Sequence, residues 1–191
     1  MTTREVAERC RDERLADADG TENADVTMRL DPAPHLATVI AAHGAADQPE
    51  ATFRAVDAAL AATAGHILFT ILIHHPGLRQ SERFYSNLPD SYPVGGRKPV
   101  TDSAWMRTVI GQGEPYIGRT ADDIREVFFD HELILSLGCE SVLNMPVRWR
   151  GQTVGTLNLL HRAGWYDEAD IPVTRLFAHL ALPAMALISR I

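Results

Sequence analysis

The 191-residue sequence predicts an α+β domain with a central antiparallel sheet of five or six strands. Terminal helices cover one face, and a helical or loop insertion roofs the other. Three observations carry this. The stretch from Gly138 to His161 reads as two strands joined by a two-residue turn at Arg150-Gly151, where Gly151 takes a positive φ without steric cost. Both faces of that hairpin are mostly apolar, so its strands are central and covered on both sides. Segments with apolar residues at helical spacing flank it towards both ends of the chain.

In chain order, residues 1–33 are charged and poor in large apolar groups, which predicts an arm, either disordered or with a solvated helix at about 3–16. The domain follows over 34–191, with its core at about 50–190. A short helix spans 34–44, stopped by Gly44, and a second runs from Glu50 to about Ala64 with Phe53, Val56, Ala59 and Leu60 inward. His66–Ile73 is β-branched and nearly all apolar, a central strand, and His74-His75-Pro76-Gly77 is the turn after it. Ser81–Ser86 alternates as a half-exposed return strand. A long Gly- and Pro-bearing loop covers Asn87–Thr101. Thr101 or Asp102 caps a helix through Trp105 to Gly111, and Pro115–Gly118 forms a very short strand. Thr120-Ala-Asp-Asp123 opens a helix that continues to Gly138. After the hairpin, Asp167 caps a last helix, bent at Pro183.

In the hairpin, a plain two-residue turn puts Leu143 opposite Asn158 and Met145 opposite Thr156. Asn144 and Asn158 then face opposite layers, and at most one of them faces the roof. Each buried amide requires a partner.

Composition narrows the function classes. A hydrophobic share of 46% and a charged share of 23% are those of a globular protein. The formal charge of −7 argues against a nucleic-acid surface. Two distant cysteines, Cys10 and Cys139, argue against a disulfide framework, and a charged N-terminus without a signal peptide fits the cytoplasm. No apolar run reaches the ~20 residues of a membrane span.

The element order, the Ser141-Val-Leu-Asn-Met-Pro-Val147 strand, the Arg150-Gly151 turn, Val154-Gly-Thr-Leu-Asn-Leu159 and the Trp165-Tyr-Asp-Glu-Ala-Asp170 helix start together resemble the GAF domain family over about 50–190. The resemblance implies a small-molecule pocket between the sheet and the segment from Tyr85 to Cys139. It also implies a sensory role, here in a stand-alone domain, since no output domain is readable. One branch of the family reduces free methionine-R-sulfoxide through a thiol pair. Between 85 and 140 this chain has only Cys139, so that activity is not expected. The residues expected for bilin attachment and for cyclic-nucleotide recognition are likewise missing, and no motif requires a cofactor.

Several groups of residues are candidates for the site. Tyr85, Tyr92, Trp105, Tyr116, Phe128 and Phe129 either enclose a flat or apolar ligand or fill the core of the roof. The run Tyr92-Pro-Val-Gly-Gly-Arg-Lys98 offers backbone N–H groups with Arg97 and Lys98 for a carboxylate or phosphate, or is an ordinary exposed loop. His131, on the inward side of its predicted helix, either binds ligand, acts as acid or base with Asp130 or Glu132, or caps a backbone carbonyl. Cys139, Asn144 and Asn158 complete the candidate ligand set. His74, His75 and His161 end two strands and would gather for a metal only if those ends align, and adjacent strand residues point to opposite faces. Two functions follow: a small-molecule-binding module, dimeric through its terminal helices, or a small-substrate enzyme centred on His131. A haem-based sensor is a third.

Overall fold

The computed structural model describes residues 31–189, and the expected helix at 3–16 lies outside them. Helix α1 (Ala33–Ala42) starts at a proline pair, whose fixed φ suits the first turn. Helix α2 (Glu50–Thr63) buries Phe53, Val56, Ala59 and Leu60, and the chain leaves it through Gly65 at φ 75°. A side chain at Gly65 would strike the Trp165 ring.

Strand β1 (Leu68–His75) follows, longer than expected because His74 and His75 continue the ladder opposite Ser81 and Gln80. Then come β2 (Gln80–Ser86) and β3 (Arg97–Pro99), the latter formed inside the predicted loop by pairing Arg97, Lys98 and Pro99 with Glu82, Ser81 and Gln80. A single helical turn α3 (Ala104–Met106) is capped by Ser103, not by Thr101 or Asp102, and continues as a π-helical turn over Arg107–Gln112. Strand β4 (Tyr116–Gly118) precedes α4 (Ala121–Val127), whose Thr120–Asp123 capping box the sequence announces. The helix expected to reach Gly138 breaks here: Phe128 is extended, and a separate α5 (His131–Ser136) follows. Strands β5 (Ser141–Trp149) and β6 (Gln152–His161) form the hairpin.

The last helix is two, α6 (Ile171–Leu180) and α7 (Leu182–Ser189), bent by 49°. Pro183 has no N–H to offer the turn behind it. His43, just past α1, donates from Nε2 to the Leu180 carbonyl at the bend, 2.9 Å away. No single helix among the described residues is long and apolar enough to cross a membrane.

The six strands form one antiparallel sheet in the order β3-β2-β1-β6-β5-β4. On one face Phe69, Ile71, Ile73, Leu143, Met145, Val147, Leu157 and Leu159 pack against α2, α6 and α7. On the other, Leu68, Val142 and Leu160 meet Tyr92, Ile124, Ile134 and Cys139 of the roof. The α+β architecture, with terminal helices on one face and a roof on the other, is as the sequence predicts.

Two β-bulges change which side chains share a face. The Arg150-Gly151 turn is a two-residue turn with both φ values positive, 49° and 78°. However, Arg148 pairs with Thr153 while Val147 pairs with Gly155, so Val154 is an extra residue in β6. Beyond it the register is shifted by one: Asn144 pairs with Asn158, not Leu143 with Asn158. The two asparagines therefore lie on the same face, contrary to the expected register. Phe84 is likewise extra in β2, since Ile71 pairs with Tyr85 and Leu72 with Arg83. Strict alternation would put Arg83 and Tyr85 on one face, and the bulge separates them.

Candidate ligand site

Between the sheet and the roof lies a cavity of about 430 Å³. Its floor is Thr70 and Leu72 of β1 with Asn158 and Leu160 of β6, and its roof is Trp105, Met106, Phe128 and Phe129. Arg83, Tyr92, Arg97 and Lys98 close one end. Phe129 stands at its mouth and is 77% exposed.

A polar ladder crosses the floor. Trp105 Nε1 donates to Asn144 Oδ1 at 2.9 Å, Asn144 Nδ2 to Asn158 Oδ1 at 2.7 Å, and Asn158 Nδ2 to Thr70 Oγ1 at 3.1 Å. All three sheet residues are buried. Each amide is thus satisfied by protein, and the roof is tied to the sheet through one indole N–H. The π-helical turn is tied separately, by Thr153 donating to the Ile110 carbonyl at 2.8 Å.

The closed end is charged. Lys98 Nζ lies 3.1 Å from both oxygens of Asp130, and the Tyr92 hydroxyl donates to Asp130 Oδ2 at 2.6 Å. Arg83, 7% exposed, stacks its guanidinium on the Tyr92 ring at 3.7 Å and donates from Nη1 to the Pro93 carbonyl at 2.7 Å. Its Nη2 is 3.8 Å from Asp130 Oδ2, and its Nε is buried with no partner. Burial pushes the Lys98 ammonium below its usual pKa, with Asp130 opposing in part. Burial pushes the Asp130 carboxyl up, but the Lys98 charge and the hydrogen bonds from Tyr92 and Lys98 outweigh it and hold it low. Tyr92 is pushed up by burial and by the carboxylate it bonds.

Beyond Leu72, Lys98, Trp105 and Met106 lies a second chamber of about 20 Å³, reached by His74, Ser81, Thr153 and Thr156. His74 Nδ1 and Thr156 Oγ1 are buried there without partners, a space for one water. Burial keeps the His74 imidazole below its usual pKa.

Of the residues singled out in the sequence, Tyr92, Arg97, Trp105, Phe128 and Asn158 line the cavity. Asn144 lies beneath Trp105, and Asp130 lies behind Lys98 and Tyr92. Arg97 is half-exposed and bonded to Glu82, which also meets His75. Tyr85 sits on the opposite face, its hydroxyl bonded to Asp57 of α2 at 2.7 Å. Tyr116 and Cys139 pack in the roof core instead of lining the cavity, and burial pushes the Cys139 thiol up to about 12. His131 donates from Nδ1 to the Phe128 carbonyl at 2.9 Å, a cap on the break between α4 and α5, and Glu132 is exposed.

The histidine ends do not align. Strands β1 and β6 are antiparallel neighbours, with Leu68 opposite Leu160 and Ile73 opposite Gly155. His74 and His75 therefore stand at one end of this central strand pair and His161 at the other, stacked on Trp165 with centroids 3.5 Å apart. Among the described residues no group of three His, Cys, Asp or Glu is placed to hold a metal ion. The sequence reading missed Arg83 as a site residue; its signal was an arginine within a strand that pairs with a central one.

The GAF-domain family model matches residues 48–184, from just before α2 through the roof and the hairpin to the first residues of α7. The chain belongs to the GAF domain family. Solved structures agree on the fold. The GAF domain of a phosphoenolpyruvate-protein phosphotransferase from Coxiella burnetii aligns with a TM-score of 0.64 at 17% identity, covering 83% of this chain and 96% of that one. The corresponding domain from Acinetobacter gives 0.65 at 11%, covering 83% and 95%. The GAF domain of a two-component sensor histidine kinase from Bacillus halodurans gives 0.61 at 15%, covering 75% and 97%. At such identities the likeness is one of fold, and GAF function is argued from the site. A search of curated proteins returns no match. GAF domains are typically sensory or regulatory ligand-binding modules, and the cavity of this one lies between sheet and roof.

Proposed function

We propose that this GAF domain senses a small metabolite with a carboxylate head and a flat or apolar body, held in the cavity between sheet and roof. The observation that supports it is Arg83 and Lys98 in the same cavity wall, largely buried, with Asp130 as the one carboxylate beside them among the described residues. Buried cations without full pairing favour an anion, and the Trp105–Phe128 roof offers aromatic faces to the rest of the molecule. The experiment is a thermal-shift titration of the full chain with aromatic and aliphatic carboxylic acids, each beside its primary amide. Acids are expected to raise the melting temperature with concentration and amides to leave it unchanged. Arg83→Met is expected to abolish the shift. A panel in which no acid stabilises the protein overturns the reading.

Homodimerisation through the terminal helices, in a cytoplasmic setting, belongs to the same proposal. Leu176 and Leu187 are exposed on those helices, and Trp149 is half-exposed beside a shallow apolar hollow with Leu182, Pro183 and Ala186. Light scattering across a concentration series tests it, a monomer throughout being the contrary result.

A further inference from the structure

We infer that Asp130 sets the charge of the ligand, so that the cavity accepts a molecule with one negative charge and turns away dianions such as dicarboxylates and phosphate monoesters. This rests on the carboxylate reading above and narrows it. Three buried or largely buried charges stand at the closed end: Arg83 and Lys98 with side chains 8% and 17% exposed, and Asp130 at 16%. The fourth, Arg97, is 51% exposed and already paired with Glu82. The inner group therefore carries two positive charges and one negative.

Asp130 does not line the cavity. It stands behind the wall and fixes the groups that do. Both of its oxygens hold Lys98, and it accepts the Tyr92 hydroxyl hydrogen bond, so Tyr92 has no donor left to offer a ligand. On Arg83, Nη1 is spent on the Pro93 carbonyl, whereas Nε has no partner and Nη2 only the long approach to Asp130. Nε and Nη2 share one edge of the guanidinium, the edge that matches the two oxygens of a carboxylate. One carboxylate set there, within reach of Lys98, brings the group to neutrality. A second negative charge would be left without a counter-ion among largely buried side chains, with the Asp130 carboxylate close by. Asp130 is a positioning residue in this account and does not touch the ligand.

The test is calorimetric titration of the full chain with matched pairs: 3-phenylpropanoate against phenyl phosphate, and pentanoate against glutarate, at pH 8. The monoanion of each pair is expected to bind more tightly, by about tenfold or more. In Asp130→Asn, of nearly equal size, that ratio is expected to fall to about one or to invert. Adding Lys98→Met to it returns the group to one positive charge and is expected to restore the preference for monoanions at weaker affinity. A merely structural role for Asp130 would lower all affinities together and would not be rescued by Lys98→Met. If the wild type binds both members of each pair equally, the inference fails and the carboxylate reading stands. If it binds none of the four probes while Arg83→Met behaves the same, both fail. Should Asp130→Asn not fold, the wild-type comparison alone decides.

Discussion

Asn144 Nδ2 donates to Asn158 Oδ1 across the β5–β6 hairpin at 2.7 Å, where the two residues pair directly. Trp105 supplies the second partner of one and Thr70 that of the other. Asn158→Leu leaves a buried Asn144 N–H with no acceptor, and about 2 kcal/mol of stability is expected to go. Trp105→Phe keeps a ring in the roof but removes its tether, at a cost of about 1 kcal/mol. Urea midpoints measure both. Amide exchange over residues 104–112 is expected to quicken in Trp105→Phe while the sheet remains protected.

Asp130 contributes to the acid limb of stability. Its carboxyl is held below the ordinary value of 3.8 by Lys98 and Tyr92, so its contribution is present above that pH and lost as pH falls through the lower folded value. Asp130→Asn is expected to be less stable than wild type at pH 7, by about 2 kcal/mol, because Lys98 is left buried with no partner. The gap is expected to close below about pH 3.8. Chemical denaturation between pH 3 and 7 gives the two curves.

Cys139 is expected to be inert. Its thiol is fully buried and its pKa is raised to about 12 by that burial, so thiolate is scarce at pH 8. In a Cys10→Ser background, iodoacetamide is expected to label Cys139 only at the rate of opening, and labelling is expected to become rapid in urea. Fast labelling of the folded protein would contradict the burial.

The hairpin turn makes a prediction of opposite signs at neighbouring positions. Gly151 has φ 78°, and Gly151→Ala is expected to cost about 1 kcal/mol. Arg150 has φ 49° and already tolerates the left-handed region, and Arg150→Asn is expected to gain a few tenths of a kcal/mol, about 0.4. Thermal melts of the two variants separate them.

The layered plan, the strands and the turn are legible because they follow from apolar periodicity and from glycine at a turn. What alternation cannot carry is a single inserted residue. Val154 and Phe84 are both apolar and both at home in a strand, and nothing in their identity announces a bulge. Each reverses the facing of every residue beyond it. For that reason the sequence divided Asn144 from Asn158 and placed Tyr85 in the pocket, when its hydroxyl meets Asp57 behind the sheet. The same rule hid Arg83, whose facing depends on that bulge. The break at Phe128 was hidden for a different reason: the 123–137 stretch is a good helix by pattern, but Asp130 meets Lys98 and Tyr92, which are distant in sequence. Strand β3 escaped notice because three residues of loop composition gained a partner only in the folded sheet.

The bond from His43 to the Leu180 carbonyl has a mechanical meaning. It sits where α1 ends and where the C-terminal helix bends, so the stretch entering the sheet layer and the stretch leaving it are pinned at one imidazole. A torque applied to α7 about the bend loads that pin first, and a pull on α1 loads it from the other side. The two ends of the described fold are thereby joined on the face of the sheet turned away from the cavity, where Met185 also comes close to Gly155 of β6.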